Sequence, residues 1–334
     1  MSSLYHPVSI GNIQLKGNLF LAPVAGYSDV AFRSVCIENG ACFTYTEMVS
    51  AEALVRKNLK TEVLMRRACN EKAYAVQIFG GDPQIMADAA RIVLEKTHCE
   101  CIDINCGCPV PKIIKTGAGS ALTRDPDRLF KVAEAVVGAT DGIPVTVKIR
   151  SGWEQKQITW REAALAALEA GVGAITIHPR TKAQGYEGHS DWQIMADLKE
   201  LVDQKTGGKV PVFGSGDLFK PEDAVRMLEQ TKVDAVMFAR GAMGNPFIFR
   251  DTTSLLTTGS YEPLPARIRI QTGFAELERL AAETSEQHAC LEMRKRFHAY
   301  SKGIPNGGPL RNAIVHASTI QDYHDIFDDI LAHD

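Results

Sequence analysis

The chain has 334 residues, of which 45% are hydrophobic and 23% are charged, and this globular balance excludes a disordered or a fibrous protein. Its 37 Lys and Arg against 40 Asp and Glu give a net charge of −3, so any contact with a nucleic acid requires a local basic patch. The absence of a long apolar segment and of a signal-peptide pattern predicts a cytoplasmic protein that does not enter a membrane.

Eight short apolar runs, each followed by a turn signal and a helical pattern, fill the first three quarters of the chain. They are 18–24, 42–47, 73–80, 101–109, 144–150, 174–180, 211–217 and 235–241. Such nearly continuous apolar runs are typical of parallel strands covered by helices on their outer side. Eight alternations over roughly 250 residues predict a (β/α)8 TIM barrel, and a doubly wound open sheet is the alternative.

The alternation stops after Arg250, where 252–265 has the composition of a linker. From Ala266 the pattern is helical, with one apolar face formed by Met293, Phe297, Tyr300 and Ile304. We therefore predict a barrel domain at 1–250 and a small all-helical domain at 251–334.

Polar side chains close most of the eight runs, and in a TIM barrel these ends meet at one mouth. The basic members are Lys148, Arg150, His178, Arg180 and Arg240. Their mutual repulsion favours an anionic ligand. The glycine-containing turns at 215–217 and 239–241 lie where barrels commonly bind phosphate, so a phosphorylated ligand is predicted.

Four cysteines lie close together at Cys99, Cys101, Cys106 and Cys108. A zinc or iron–sulfur site is one interpretation, but Cys101 and Cys106 would point to opposite faces of one strand, so we predict no metal. Cys99 and Cys101 are expected to pack in the core. Cys108, between Gly107 and Pro109 beyond a strand end, is a candidate nucleophile or proton donor.

The segment IDINCGCP at 102–109, followed by GAGSAL at 117–122, resembles the signature of the tRNA-dihydrouridine synthases. Supporting segments are 22–29, VQIFG at 76–80, VKIR at 147–150, IHPRT at 177–181 and Gly216-Asp217. Val24, Tyr27 and Ser215 differ from the residues usual in the family. The resemblance implies a barrel that binds FMN and uses NADPH to reduce a uridine of tRNA to 5,6-dihydrouridine.

The resemblance also implies a role for individual residues. Hydride passes from flavin N5 to uracil C6, and Cys108 protonates C5. Asn105 and Arg180 are candidate uracil contacts. The residues expected to bind FMN are Pro23, Val24 and Ala25 beside the ring system, Gln77 and Lys148 at its polar edge, and His178, Ser215, Gly216, Asp217, Ala239 and Arg240 at the ribityl phosphate.

The helical tail resembles the RNA-binding domain of that family, and Arg311 lies in it. Independently of the resemblance, Arg294, His298 and Lys302 follow one another at intervals of four residues, without acids between them on that face. A solvated helix face is the alternative to tRNA phosphate binding by Arg294, Lys302 and Arg311.

Two other functions stay open on the sequence. One is an FMN oxidoreductase like dihydroorotate dehydrogenase, although 110–112 reads Val-Pro-Lys where that family typically has Asn. The other is a barrel that binds RNA without catalysis. The oligomeric state is expected to be a monomer.

Overall fold

The computed structural model describes residues 4–304 and 307–332. The strands are β1 Val8–Ile10, β2 Ile13–Leu15, β3 Leu19–Leu21, β4 Phe43–Thr44, β5 Val49–Ser50, β6 Ala75–Phe79, β7 Cys101–Cys106, β8 Val145–Arg150, β9 Gly152–Glu154, β10 Gln157–Ile158, β11 Ala174–His178, β12 Val212–Ser215 and β13 Ala235–Phe238. Nine of them form one parallel sheet in the order β4-β3-β13-β12-β11-β8-β7-β6-β5. Two antiparallel hairpins, β1–β2 and β9–β10, lie outside it.

The sheet curls into a (β/α)8 barrel, which confirms the predicted fold class. Tyr45, which follows β4, makes a parallel bridge to Ala75 of β6. The second predicted strand, 42–47, therefore lies in the barrel wall, but its regular pairing with β3 is limited to β4. The chain then pairs with β6, first at Tyr45 and again through β5, beyond the predicted run. Between the two, Glu47 turns to accept a hydrogen bond from the backbone N–H of Gly26.

Helices connect successive strands and cover the outside of the barrel. Asp82 and Asp125 accept hydrogen bonds from backbone N–H groups in the first turns of the helices Pro83–Thr97 and Pro126–Gly138, and each is followed by a proline at the first helical position. The helices are α1 Val30–Glu38, α2 Ala51–Val55, α3 Leu59–Glu62, α4 Pro83–Thr97, α5 Pro111–Ile114, α6 Ser120–Arg124, α7 Pro126–Gly138, α8 Trp160–Glu169, α9 Trp192–Thr206, α10 Pro221–Thr231, α11 Ile248–Thr258, α12 Ala266–Glu283, α13 Glu286–Tyr300, α14 Gly307–His316 and α15 Ile320–Ala332.

The core has two layers separated by the sheet. Phe20, Phe43 and Phe213 fill the barrel interior with edge-to-face ring contacts. Cys101 belongs to this interior, whereas Cys106 packs in the layer between sheet and helices. The two side chains thus lie on opposite faces of β7, as the strand period predicts.

The predicted linker at 252–265 is wrong for its first half, because α11 continues to Thr258 and packs against α10 of the barrel. Only residues 259–265 connect the barrel to α12. The helices α12–α15 share a second core, to which Ala31 of α1 and Phe247 also contribute. In it Met293, Phe297 and Tyr300 are fully buried and Ile304 packs at the edge. The predicted apolar face is therefore confirmed.

The helical region rests on the barrel through α1 and α12. Arg279 of α12 pairs with Glu38 of α1 at 2.6 Å, and Arg66 pairs with Glu283 at 2.9 Å. Within the described ranges, no helix has the length and apolar character required to cross a membrane.

Candidate active site at the carboxyl ends of the strands

A cavity of about 290 Å³ opens at the carboxyl ends of the barrel strands. All eleven residues predicted to bind a cofactor line it, together with the predicted catalytic residue Cys108 and the predicted substrate contact Asn105. The eleven are Pro23, Val24, Ala25, Gln77, Lys148, His178, Ser215, Gly216, Asp217, Ala239 and Arg240. Residues separated by up to 217 positions in the sequence therefore line one cavity.

Cys108 is held on a rigid loop after β7. Asn105 Oδ1 accepts hydrogen bonds from the backbone N–H of Gly107 at 3.2 Å and of Cys108 at 2.9 Å. Ser120 donates from its backbone N–H to the Cys108 carbonyl and from its hydroxyl to the Gly107 carbonyl. Burial raises the pKa of the Cys108 thiol above its usual value. A protonated thiol therefore faces the cavity at neutral pH.

A chain of side-chain hydrogen bonds runs from this loop into the barrel interior. Asn105 Nδ2 donates to Gln77 Oε1 at 2.8 Å, and Gln77 Nε2 donates to Asp103 Oδ2 at 2.6 Å. Thr146 Oγ1 donates to the other oxygen of Asp103 at 2.6 Å. Burial raises the pKa of Asp103 to about 6. The buried carboxylate thus fixes the orientation of both amides and, through Asn105, of the Cys108 loop.

Positive charge accumulates on one side of the cavity. Lys148 makes no ion pair with any described residue, and burial together with Arg150 lowers its pKa from 10.5 to about 8. Arg150 lies beneath the cysteine loop and donates to the Gly107 carbonyl at 2.8 Å. The sequence suggests a basic His178, but burial and then the charge of Lys148 lower its pKa well below its usual value. His178 is therefore a neutral imidazole, and an anion would be stabilised chiefly by Lys148 and Arg240.

Arg180 does not line the cavity. Its side chain is 2% exposed, forms an ion pair with Asp217 at 2.9 Å, and donates to the Gly188 carbonyl and to Ser190 Oγ. Asp217 also accepts from the Ser190 backbone N–H at 2.7 Å. Arg180 therefore ties the turn after β12 to the loop at 185–190. This geometry therefore does not favour a direct contact between Arg180 and a substrate.

The turn at Ser215 and Gly216 lies against the cavity wall. The Ser215 hydroxyl donates to the Met237 carbonyl at 3.1 Å, so that proton is already used within the barrel. Gly216 has a φ of +125°, and a Cβ there would lie 2.3 Å from Ser190 Oγ. Only glycine fits this position without displacing the neighbouring loop.

Sequence reasoning missed the aromatic residues at the mouth of the cavity. The Arg240 guanidinium lies 4.6 Å from the ring centre of Tyr186 and 5.1 Å from that of Phe219, and these rings are largely in contact with solvent. Met48 also lines the cavity. Tyr186 and Phe219 lie in loops beyond the strand ends, where no pattern in the sequence distinguishes them from other exposed aromatics.

The three candidate tRNA contacts of the tail have different surroundings. Lys302 and Arg311 are exposed, whereas Arg294 is half-buried and its Nε donates to the Ala317 carbonyl at 2.8 Å. Two neighbouring cations face the barrel instead. Arg296 is 1% exposed between Asp29 and Glu276, and Lys295 donates to the Gly26 carbonyl. The exposed cationic surface of the tail is therefore smaller than the sequence indicates.

Comparison with known proteins agrees with the geometry. The family model described as dihydrouridine synthase matches residues 20–332. A probable tRNA-dihydrouridine synthase of Treponema pallidum is 55% identical over 325 residues, which cover 96% of this chain and 95% of the relative. The tRNA-dihydrouridine synthase B of Pseudomonas aeruginosa is 35% identical, covering 91% of this chain and 90% of the relative.

Solved structures resemble the chain in fold. A complex of 2-naphthoyl-CoA reductase has a TM-score of 0.57 at 12% identity, covering 75% of this chain and 52% of that one. Histamine dehydrogenase from Rhizobium sp. 4-9 has a TM-score of 0.55 at 14% identity, covering 83% and 51%. At these identities the likeness shows the fold alone. The family match and the high identity to its members show that the chain is an enzyme and belongs to the dihydrouridine synthase family.

Proposed function

We propose that this enzyme binds FMN in the barrel cavity, takes reducing equivalents from NADPH, and reduces a uridine of tRNA to 5,6-dihydrouridine. The observation that carries the proposal is the position of the Cys108 thiol on the wall of the same cavity as the unpaired Lys148. This arrangement provides a positioned proton donor beside a site for an anionic cofactor.

The residues present fit a flavin phosphate. Arg240 stands beside the turns of Gly216 and Ala239, where barrels commonly bind phosphate. Lys148 is half-buried and makes no ion pair with any described residue. The nearby Asp103 carboxylate only partly offsets the effect of burial on its pKa, so an anionic ligand would stabilise the ammonium. Pro23, Val24 and Ala25 offer an apolar surface to a ring system. Lys148 and Gln77 would then bind the polar edge of the ring, and Arg240 the phosphate.

The reaction requires a hydride and a proton, which are added to the two carbons of the uracil double bond. Reduced FMN supplies the hydride when it is bound. The chain itself supplies the proton, because the Cys108 thiol is protonated at neutral pH and lies at the cavity wall. Asn105 holds the Cys108 loop. Its Nδ2 donates to Gln77 and contacts only the weak acceptor Met48 Sδ at 3.8 Å with its other N–H, which a uracil carbonyl would replace as the stronger acceptor.

The substrate must bring one base out of its stack to reach the cavity. A tRNA loop does this at lower cost than a duplex does. The helical region beyond residue 259, with Lys302 and Arg311 exposed, would bind the phosphates and orient the tRNA. We therefore assign catalysis to the barrel and RNA positioning to the tail. With tRNA as substrate the enzyme is expected to act in the cytoplasm, and the monomeric state stays a prediction.

Reduction of unmodified tRNA transcripts tests the proposal. Protein reconstituted with FMN and NADPH should form dihydrouridine, measured as the nucleoside by mass spectrometry after digestion. Omission of NADPH is the control. Failure to bind FMN would contradict the cofactor assignment. FMN binding with turnover of dihydroorotate but not of tRNA would favour the dihydroorotate dehydrogenase alternative, and FMN or RNA binding without turnover would favour a non-catalytic barrel.

A further inference from the structure

Two consecutive cations of α13 contact the loop that forms one wall of the active site. The wall loop consists of residues 23–29, between β3 and α1. Lys295 Nζ donates to the Gly26 carbonyl at 2.9 Å, and Arg296 donates to the carboxylate of Asp29. These contacts join residues that are 269 and 267 positions apart. The helical region therefore touches the catalytic barrel at a segment that lines the cavity.

The wall loop is a compact unit, so its two halves are mechanically connected. Pro23, Val24 and Ala25 line the cavity. The Val24 carbonyl accepts from the backbone N–H groups of Tyr27 and Ser28, and the Val24 N–H donates to the Ser28 hydroxyl at 2.9 Å. A displacement of the half facing α13 is therefore transmitted to the half facing the cavity.

Arg296 is held by more than one partner. Its guanidinium donates to Glu276 of α12 as well as to Asp29, and it lies 4.7 Å from the ring centre of Tyr27. Tyr300 donates its hydroxyl to the second oxygen of Glu276 at 2.6 Å. Arg296, Glu276 and Tyr300 are almost fully excluded from water, so the position of Arg296 relative to the wall loop is fixed by the packing of α12 and α13.

Gly26 receives contacts from both sides. Its N–H donates to Glu47 of the barrel, and its carbonyl accepts from Lys295 of α13. Glu47 lies between β4 and β5, each of which shares two residue pairs with a neighbouring strand. The barrel also holds the far end of the wall loop, where Arg33 donates to the Ser28 carbonyl and the backbone N–H of Phe32 donates to Asp29. To these contacts α13 adds the hydrogen bonds to the Gly26 carbonyl and to Asp29.

We propose that Lys295 and Arg296 are positioning residues, through which the helical region holds the wall loop in the conformation that accepts the cofactor and the uracil. The inference rests on the proposed function for the identity of the ligands. It assigns to these two cations a role in the site, distinct from binding of RNA phosphate by the exposed residues Lys302 and Arg311.

Lys295→Met provides the sharpest test, because it removes one hydrogen bond to the wall loop and leaves the buried network intact. Loss of that bond lowers the population of the binding-competent loop, so the FMN dissociation constant of the RNA-free protein should rise about fivefold. Hydrogen exchange at the amides of Tyr27 and Ser28 should accelerate. Glu292→Gln is the matched control, since it removes the ion pair of Lys295 with Glu292 and leaves the contact with Gly26.

Arg296→Lys is the second variant, because it keeps a positive charge between two carboxylates but cannot donate to both with the geometry of a guanidinium. With tRNA it should lower kcat and leave KM unchanged, and it should also accelerate exchange in the wall loop. A purely structural role would lower the melting temperature and leave FMN affinity and loop exchange as in the wild type.

The outcomes separate this inference from the proposed function. Wild-type protein that binds no FMN contradicts the proposed function, while loop exchange still tests the positioning role. Unchanged loop exchange and unchanged FMN affinity in Lys295→Met overturn the positioning role. A raised KM for tRNA with a smaller salt dependence and unchanged FMN affinity would make Lys295 a phosphate contact, and it would also overturn the inference.

Discussion

Gln77 donates from Nε2 to the buried carboxylate of Asp103 at 2.6 Å, and this contact determines which way the Gln77 amide faces. Because Nε2 is committed to Asp103, Oε1 is presented to Asn105. The orientation of a residue at the cavity wall is therefore set by an acid that lies inside the barrel, out of reach of any ligand.

Asp103→Asn should make the protein more stable at neutral pH. Because the folded-state pKa of Asp103 is raised to about 6, the free energy of unfolding falls as the pH rises from about 4 to about 6. A shift of this size corresponds to a penalty of up to about 3 kcal/mol at pH 7. An asparagine can still accept from Gln77, and its NH2 can donate to the Thr146 hydroxyl.

Urea unfolding of both proteins at pH 4 and pH 7 measures this effect. The variant should gain stability relative to the wild type only at the higher pH. Asp88→Asn, at an exposed position of α4, is the control and should show no such gain. An equal difference between Asp103→Asn and the wild type at both pH values would contradict the assignment of a buried charge to Asp103.

FMN affinity should decrease as the pH rises through about 8. Lys148 loses its charge in that range, because burial and Arg150 lower its pKa, and an anionic ligand then loses its buried partner. Lys148→Met should bind FMN about 10- to 100-fold more weakly at pH 7 and remove this pH dependence. Fluorescence titrations between pH 7 and pH 9 measure both effects.

The control for Lys148 is Lys209→Met, at an exposed position before the amino end of β12 and thus on the side of the barrel away from the cavity. It should keep the wild-type profile. A wild-type affinity that is constant over this pH range would show that Lys148 does not bind the ligand's negative charge.

Cys108→Ala should reduce the rate of dihydrouridine formation by about 10²- to 10⁴-fold, because a positioned general acid is removed. FMN binding and NADPH oxidation should continue, since neither uses the thiol. Cys106→Ala is the matched control: its side chain packs in the outer core layer, so the substitution should lower stability slightly and leave the rate within about twofold. An undiminished rate in Cys108→Ala would assign the proton to another group.

Lys302→Ala combined with Arg311→Ala should weaken tRNA binding. Both side chains are exposed, and loss of two phosphate contacts should reduce the slope of log affinity against log salt by roughly two. The FMN absorption spectrum should not change. Titrations with tRNA at several salt concentrations measure the slope, with Lys209→Ala as the control. An unchanged slope would favour the alternative that the tail cations form a solvated helix face.

The eight-fold alternation could be predicted because each strand of a parallel barrel is an apolar run with its own turn signal. Helix α11 could not be predicted, because its threonines have low helix propensity. They are Thr252, Thr253, Thr257 and Thr258. Ile248 and Phe249 of this helix are buried in the barrel core, and this packing outweighs the propensity.

The cavity-lining residues could be predicted because strand ends of a barrel converge on one mouth. The sequence could not predict which of the cations face the ligand. Arg180 and Arg296 have the same residue type as Arg240, but their partners Asp217 and Asp29 are distant in the sequence. A buried ion pair is visible only once the fold brings the acid and the base together.

The barrel wall is only weakly paired at β4 and β5. β4 and β5 each share only two residue pairs with their neighbours in the sheet, whereas β7 and β8 share five. Local opening at β4 and β5 costs less free energy than opening elsewhere in the ring, since fewer hydrogen bonds break. Met48, between β4 and β5, lines the cavity. We therefore expect the barrel to open first beside the cavity, while the rest of the ring stays folded.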